Sequence, residues 1–334
     1  MGSRLFGDRG GESSGARRLA AIAKPVVFSR EKRHIAAIMA GSGVHFRKMN
    51  GLGNDFVVLD LREMRADSAI SSERLSAPVV RAIADRETGI GCDQFITIEN
   101  PRHGGDAFMG VRNQDGGVVG TCGNAARCIG QLLLDETGKD AVTIETLGGD
   151  TVATRGPGET ITVDMGEPRL KWNEIPLSEE FQDTRGIELE VGPLGAPLMH
   201  SPAVVNVGNP HAIFFVKDPD TIDLGRIGPM LEHHPLFPER ANISVAQVLS
   251  PDHIKLKVWE RGAGLTLACG TAACATAVAA ARKRLTGREV TISLPGGDLK
   301  IEWRESDNHI YMTGPTTLDF EGELDQRLLG GAFA

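Results

Sequence analysis

The sequence predicts an α/β protein of the α+β type: two lobes related by a pseudo-twofold axis, each a curved, mostly antiparallel sheet or barrel wrapped round a central helix. Three observations predict it. First, "TCGNAARC" at 121–128 has an echo in "ACGTAACA" at 268–275. Second, both run into stretches that are apolar on nearly every side, "CIGQLLL" and "CATAVAAA", and a helix of that kind has to be wrapped by other elements. Third, each is followed by the same hairpin signal, "VTIETLGGD" at 142–150 and "VTISLPGGD" at 290–298, so the cysteines lie 147 residues apart and the valines 148. Two copies at so long a period mark a diverged duplication, not a solenoid.

The elements follow in order. Residues 1–43 are rich in Arg, Gly and Ser and lack a core pattern. They read as a disordered or leader-like extension, with a transit-type peptide or a functional arm as alternatives and Met39 as a possible start. The first lobe spans 44–165, with strands over "HFRKMN", "DFVVLDL", "QFITIEN" and "DAFMGVRN" and a helix over "SERLSAPVVRAIADR" with Ser72 as its cap. A helix closed by Gly138 then leads into the first Gly-Gly-Asp hairpin. After a hinge near Gly166, the second lobe (166–314) repeats the plan with "AVVNVG", "HAIFFV", "ISVAQVL", "HIKLKVWE", a helix expected to close at Gly287, and the second hairpin. Residues 315–334 are read as crossing back to the first lobe.

Net charge is −8 over 334 residues, unevenly spread. Residues 1–38 hold eight Lys/Arg against three acids, which leaves −13 on the rest. A body that acidic repels phosphate backbones and argues against nucleic acid. There is no apolar run of membrane-spanning length. Five cysteines, no secretion signal and no CxxC pair point to free thiols in a reducing compartment, without a disulfide framework or a metal site.

Two Cys-Gly turns at helix starts, facing each other across a cleft, can carry chemistry. Amide N–H groups there favour a thiolate and can hold a substrate carboxylate. One thiolate and one thiol on opposite faces of a carbon form a two-base proton exchanger, suited to inverting an α-carbon. "GLGNDF" at 51–56 is not GxGxxG, so it is no nucleotide loop. A cofactor-free racemase or epimerase is the leading reading.

"KMNGLGNDFVVLD", "GIGCDQ", "RNQDGGVVGTCGNAARC", "VGNPHAIFFV", "RANISV" and "WERGAGLTLACGTAACA" occur in that order from about residue 44 onward. Together they resemble the diaminopimelate epimerase family. The resemblance implies Cys122 and Cys269 as base and acid. It implies a substrate carboxylate held at Gly123, Asn124, Gly270 and Thr271, and further contacts from Asn54, Gln94, Asn113, Asn209, Asn242, Glu260 and Arg261. His211 and Glu260 resemble the residues that tune the two thiols. No cofactor and no metal are implied; the partner is a small molecule, LL- or meso-diaminopimelate, and the enzyme is a cytoplasmic homodimer with no membrane partner. Cys92, Cys128 and Cys274 read as core. The chain departs from the family pattern at Val118 and Leu265, where relatives often carry Glu, and at Ala125 and Ala273, where Gly is usual. A proline or hydroxyproline racemase-like enzyme of the same fold is the close alternative. A thiol redox or metal-binding protein is the distant one.

Overall fold

The computed structural model describes residues 44–62, 75–193, 195–324 and 328. The extension at 1–43 and the Ser72 cap lie outside the described residues.

The first lobe contains β1 (Val44–Gly51), β2 (Asn54–Asp60), α1 (Ala77–Ala84), β3 (Gln94–Glu99), β4 (Ala107–Asn113), the two-residue β5 (Val118–Val119), α2 (Gly123–Thr137), β6 (Ala141–Glu145), β7 (Thr151–Arg155) and β8 (Thr160–Asp164). A small ribbon, β9 (Glu190–Val191) with β10 (Met199–His200), follows. The second lobe contains β11 (Ala203–Asn206), β12 (Pro210–Phe215), α3 (Leu224–Glu232), β13 (Asn242–Ser250), β14 (His253–Glu260), the two-residue β15 (Gly264–Leu265), α4 (Gly270–Arg282), β16 (Glu289–Leu294), β17 (Gly297–Trp303) and β18 (Ile310–Pro315). β19 (Thr317–Leu324) ends the chain's described strands.

The repeat extends to the strand pairings within each lobe. β1–β2 and β11–β12 are antiparallel, β2–β3 and β12–β13 parallel, β3–β4 and β13–β14 antiparallel. β4–β6 and β14–β16 are again parallel, each spanning the central helix of its lobe. A parallel pair needs a crossover connection, and α1 and α3 lie within the two that join β2 to β3 and β12 to β13.

α2 and α4 have the wrapped surroundings expected of helices without a polar face. Ala125, Ala126, Cys128, Ile129, Leu133 and Leu134 pack into one core with strands of the first lobe. Ala272, Ala273, Cys274, Ala275 and Val278 do the same in the second. Small residues dominate α4, so its backbone lies close to the surrounding sheet.

Among the described residues the sheets of the two lobes are continuous: β18 pairs with β8 and β19 with β1, so 17 strands form one sheet. Two findings differ from the sequence reading. α4 ends at Arg282, not at Gly287. Arg284, at φ 58, takes the left-handed position, and the bonds Leu285 N–H to Ala280 O and Arg284 N–H to Ala281 O close a Schellman motif. α3 was not expected, because Pro229 inside it breaks the sequence signal.

Candidate active site

Both cysteines are the residue before their helix, and they adopt nearly the same backbone: φ −143, ψ 111 for Cys122 and φ −133, ψ 110 for Cys269. Neither side chain caps its helix. The first amide N–H groups of both helices are therefore free of a cap and open to an anion. Each turn is held by the hairpin that follows its helix. Gly148 N–H donates to Gly120 O and Gly296 N–H to Leu267 O, both at 2.8 Å and both two residues before the cysteine. At Gly296 a Cβ would stand 2.0 Å from Leu52 O, so that turn admits only glycine.

The two helix starts meet. A Cβ on Gly270 would lie 3.3 Å from Asn124 Oδ1 and 2.8 Å from Met312 Sδ, and a Cβ on Gly123 would lie 2.8 Å from Met312 Cε. Met312 of β18 therefore packs against both turns at once.

Around Cys122, the Asn54 side chain is the polar neighbour. Its Oδ1 lies 4.0 Å from Sγ and accepts from Asn124 Nδ2 at 3.2 Å. Asp93 fixes the Asn54 amide, since its Oδ2 accepts from Asn54 Nδ2 and from Asp55 N–H, both at 3.1 Å. Arg86 holds Asp93 in turn at 2.7 Å. Around Cys269, Thr271 Oγ1 lies 3.4 Å from Sγ, and Glu260 takes a hydrogen bond from Thr266 Oγ1. Asp93 and Thr266 were not among the expected site residues; their role depends on contacts no motif spacing encodes.

The other expected residues sit at matching strand ends. Gln94 begins β3 and Asn242 begins β13; Asn113 ends β4 and Glu260 ends β14. Gln94 Nε2 donates to Asn113 Oδ1 at 3.1 Å. The buried Asn242 donates to Pro210 O at 3.0 Å and accepts from Arg261 N–H at 2.9 Å. Asn209, just ahead of β12, bonds His211 Nε2 at 2.7 Å. Buried oxygens on Gln94 (Oε1) and Asn124 (Oδ1) have no partner, and a substrate ammonium or amide could satisfy them. Arg261 donates from Nη1 to Glu239 O at 2.8 Å and is exposed.

Burial pushes the Cys122 thiol up to about 11, opposed by the amides of Ala125 and Asn124. Cys269, only 5 % exposed, is pushed well above its ordinary value, first by burial and then by the charge of Glu260. Burial also raises the Glu260 carboxyl. Glu260 acts on both thiols; His211 does not bond either. Its one side-chain hydrogen bond among the described residues is to Asn209, and burial together with Arg261 lowers it to about 3. Cys92, Cys128 and Cys274 are fully buried. Among the described residues, no group of three His, Cys, Asp or Glu is arranged to hold a metal ion. Among the described residues, no helix is long and apolar enough to cross a membrane.

In fold the chain is of the class that includes PhzF-type proteins and amino-acid racemases. It resembles a phenazine biosynthesis PhzF-family protein of Bacillus anthracis at a TM-score of 0.59 and 16% identity, covering 85% of this chain and 99% of that one. A hydroxyproline epimerase of Agrobacterium vitis gives a TM-score of 0.58 at 12% identity, covering 87% and 95%. The family model for diaminopimelate epimerase matches residues 46–171 and 203–318. The diaminopimelate epimerase of Methylorubrum populi is 55% identical over 294 residues, 86% of this chain and 96% of its own length. That of Afipia carboxidovorans is 53% identical over 285 residues, 85% and 96%. The chain belongs to the diaminopimelate epimerase family.

Proposed function

We propose that this protein interconverts LL- and meso-2,6-diaminopimelate, a step of lysine and peptidoglycan precursor biosynthesis, using Cys122 and Cys269 as its two bases. The observation that carries the reading is the meeting of two uncapped, cysteine-led helix starts across Met312. The reacting carboxylate lies on the amides at Gly123, Asn124, Gly270 and Thr271. There the two helix dipoles stabilise the negative charge that grows as the α-proton leaves. One sulfur, as thiolate, removes that proton, and the other thiol returns one to the opposite face; the reverse reaction exchanges their protonation states.

Asn54, Gln94, Asn113, Asn209, Asn242 and Arg261 read the distal amino-acid end. That end must be held to one handedness while the near end changes. Glu260 adjusts both thiols, and His211, kept neutral by burial, serves as a fixed hydrogen-bonding wall through Asn209. The lobes divide at 44–165 and 166–314, and the enzyme works as a homodimer in the cytoplasm.

Proton NMR of LL-diaminopimelate with the reduced protein in deuterated water tests the reading. Loss of the α-proton signal with appearance of the meso isomer is expected, and Cys122→Ser should show no meso product. Exchange of proline or hydroxyproline, with diaminopimelate untouched, would move the substrate to the alternative racemase class.

A further inference from the structure

A carboxylate is costly to bury unless donors surround it, so a buried one marks a part of the fold that is being held in place. Among the described residues two are buried, Glu145 and Glu232. Glu145 accepts the backbone N–H groups of Arg102, His103 and Gly105 and so closes a loop. Glu232, the last residue of α3, instead bonds the segments that carry Asn242, Glu260 and Arg261.

Both of its carboxylate oxygens have donors. Trp259 Nε1 donates to Oε2 at 2.8 Å, the Gly262 N–H to Oε1 at 3.1 Å and Arg240 Nη1 to Oε1 at 3.5 Å. The backbone carbonyl of Glu232 accepts from Ala241 N–H at 3.3 Å. The surface of α3 is shaped for these contacts. Gly228 lies one turn before Glu232 on the same face, and a Cβ there would stand 2.5 Å from the Trp259 indole. The ring lies on the glycine, and its N–H reaches the glutamate.

Every partner flanks a site residue. Ala241 precedes Asn242, Trp259 precedes Glu260, and Gly262 follows Arg261. Glu260 is fixed without this help, since it pairs with Gly264 and takes the Thr266 hydrogen bond. Arg261 stands in the exposed turn beyond the strand, its N–H on Asn242 Oδ1 and its Nη1 on Glu239 O. Glu232 therefore fixes Arg261 from two sides: the backbone through Gly262, and the guanidinium through the loop of Glu239, Arg240 and Ala241. The first lobe has the same device with the charge reversed. There Arg81 of α1 donates to Asp115 O at 3.0 Å, in the turn that follows β4.

We propose that Glu232 is a positioning residue: it holds the Arg261 guanidinium where the distal carboxylate of the substrate is gripped, and so sets affinity for the end that does not react. This rests on the epimerase reading above.

The test is steady-state epimerisation of LL-diaminopimelate by the full chain and its Glu232→Gln variant. Loss of one charge-assisted hydrogen bond at the turn should raise KM about tenfold and leave kcat nearly unchanged, as for a contact made equally in ground and transition states. In Arg261→Ala, where the guanidinium is already gone, adding Glu232→Gln should raise KM no further. The pH midpoints of iodoacetamide alkylation at Cys122 and Cys269, read by peptide mass spectrometry, should stay as in the wild type. A loss that falls on kcat, a full additional rise in KM on the Arg261→Ala background, or a moved midpoint overturns the proposal. Hydrogen exchange of the unaltered, substrate-free chain reads the hold itself. Gly262 is exposed, yet its N–H should exchange much more slowly than an unprotected amide. Exchange at the unprotected rate overturns the proposal whatever the substrate is, and covers the case in which Glu232→Gln does not fold. Failure of the epimerase reading shows instead as a wild type that leaves diaminopimelate untouched.

Discussion

The Cys122 turn and the Cys269 turn share a backbone and differ in nearly everything placed around it. Cys122 is partly exposed, with the Asn54 amide beside its sulfur. Cys269 is buried, with a carboxyl and a hydroxyl beside it. Duplication supplied two copies of one device, a cysteine at a helix start held by a glycine hairpin, and divergence changed the charges. A two-base reaction needs that difference, because two identical thiols would lack a preferred ionisation state at neutral pH.

The largest effects come from breaking the pair. Cys122→Ser and Cys269→Ser should each lower epimerisation by about 10³-fold or more, measured by product stereochemistry. The remaining thiol still faces one side of the α-carbon. The two variants should therefore wash deuterium into opposite stereoisomers without inverting them, and exchange of the same isomer by both would show that the thiols do not oppose each other. Next comes the charge that separates them. Glu260→Gln removes the negative neighbour that raises both thiols, and Cys269, which it also hydrogen-bonds, the more, so both alkylation midpoints should fall and that of Cys269 further. Turnover should fall about 10²-fold as the acid–base balance is lost.

Much of this comparison is legible in the sequence, because the cysteine turns, the apolar helices and the Gly-Gly-Asp hairpins are local patterns. The register that joins β8 to β18 is not, since those strands lie far apart in the chain and no periodicity specifies such a pairing. Asp93 is present in "GIGCDQ", yet its hydrogen bond to Asn54 spans 39 residues. In each case the missing information is a long-range contact.

Asp93→Asn should sharpen the difference on the Cys122 side. It weakens the carboxylate that orients Asn54, and loss of one charge-assisted hydrogen bond corresponds to about a tenfold drop in kcat/KM. Asn54→Ala should match it with little further loss when the two are combined. A smaller effect appears in stability against pH. His211 is held near 3 in the folded protein, while its unfolded counterpart takes up a proton below about 6.5. The unfolded state thus binds more protons, and stability is lost as pH falls from about 6.5 toward 3, on the order of 5 kcal/mol in all. Between pH 7.5 and 4.5 the wild type should lose about 5 °C more in Tm than His211→Gln, followed by circular dichroism.

The smallest effects are expected at Val118 and Leu265, where relatives often carry Glu. The structure puts them in matching places, on the two-residue strands β5 and β15 just ahead of each cysteine turn, 59% and 55% exposed. Exposed side chains there bury little area, so Val118→Glu and Leu265→Glu should each change stability by no more than about 0.5 kcal/mol. Their charges could still reach the turns. Leu265 is on the strand paired with Trp259 and Glu260, so Leu265→Glu should raise the Cys269 alkylation midpoint slightly, while Val118→Glu, opposite Arg112 on β4, should leave Cys122 nearly unchanged. Equal shifts at both sulfurs would mean that the two turns respond alike to added charge, and that Glu260 does not set them apart.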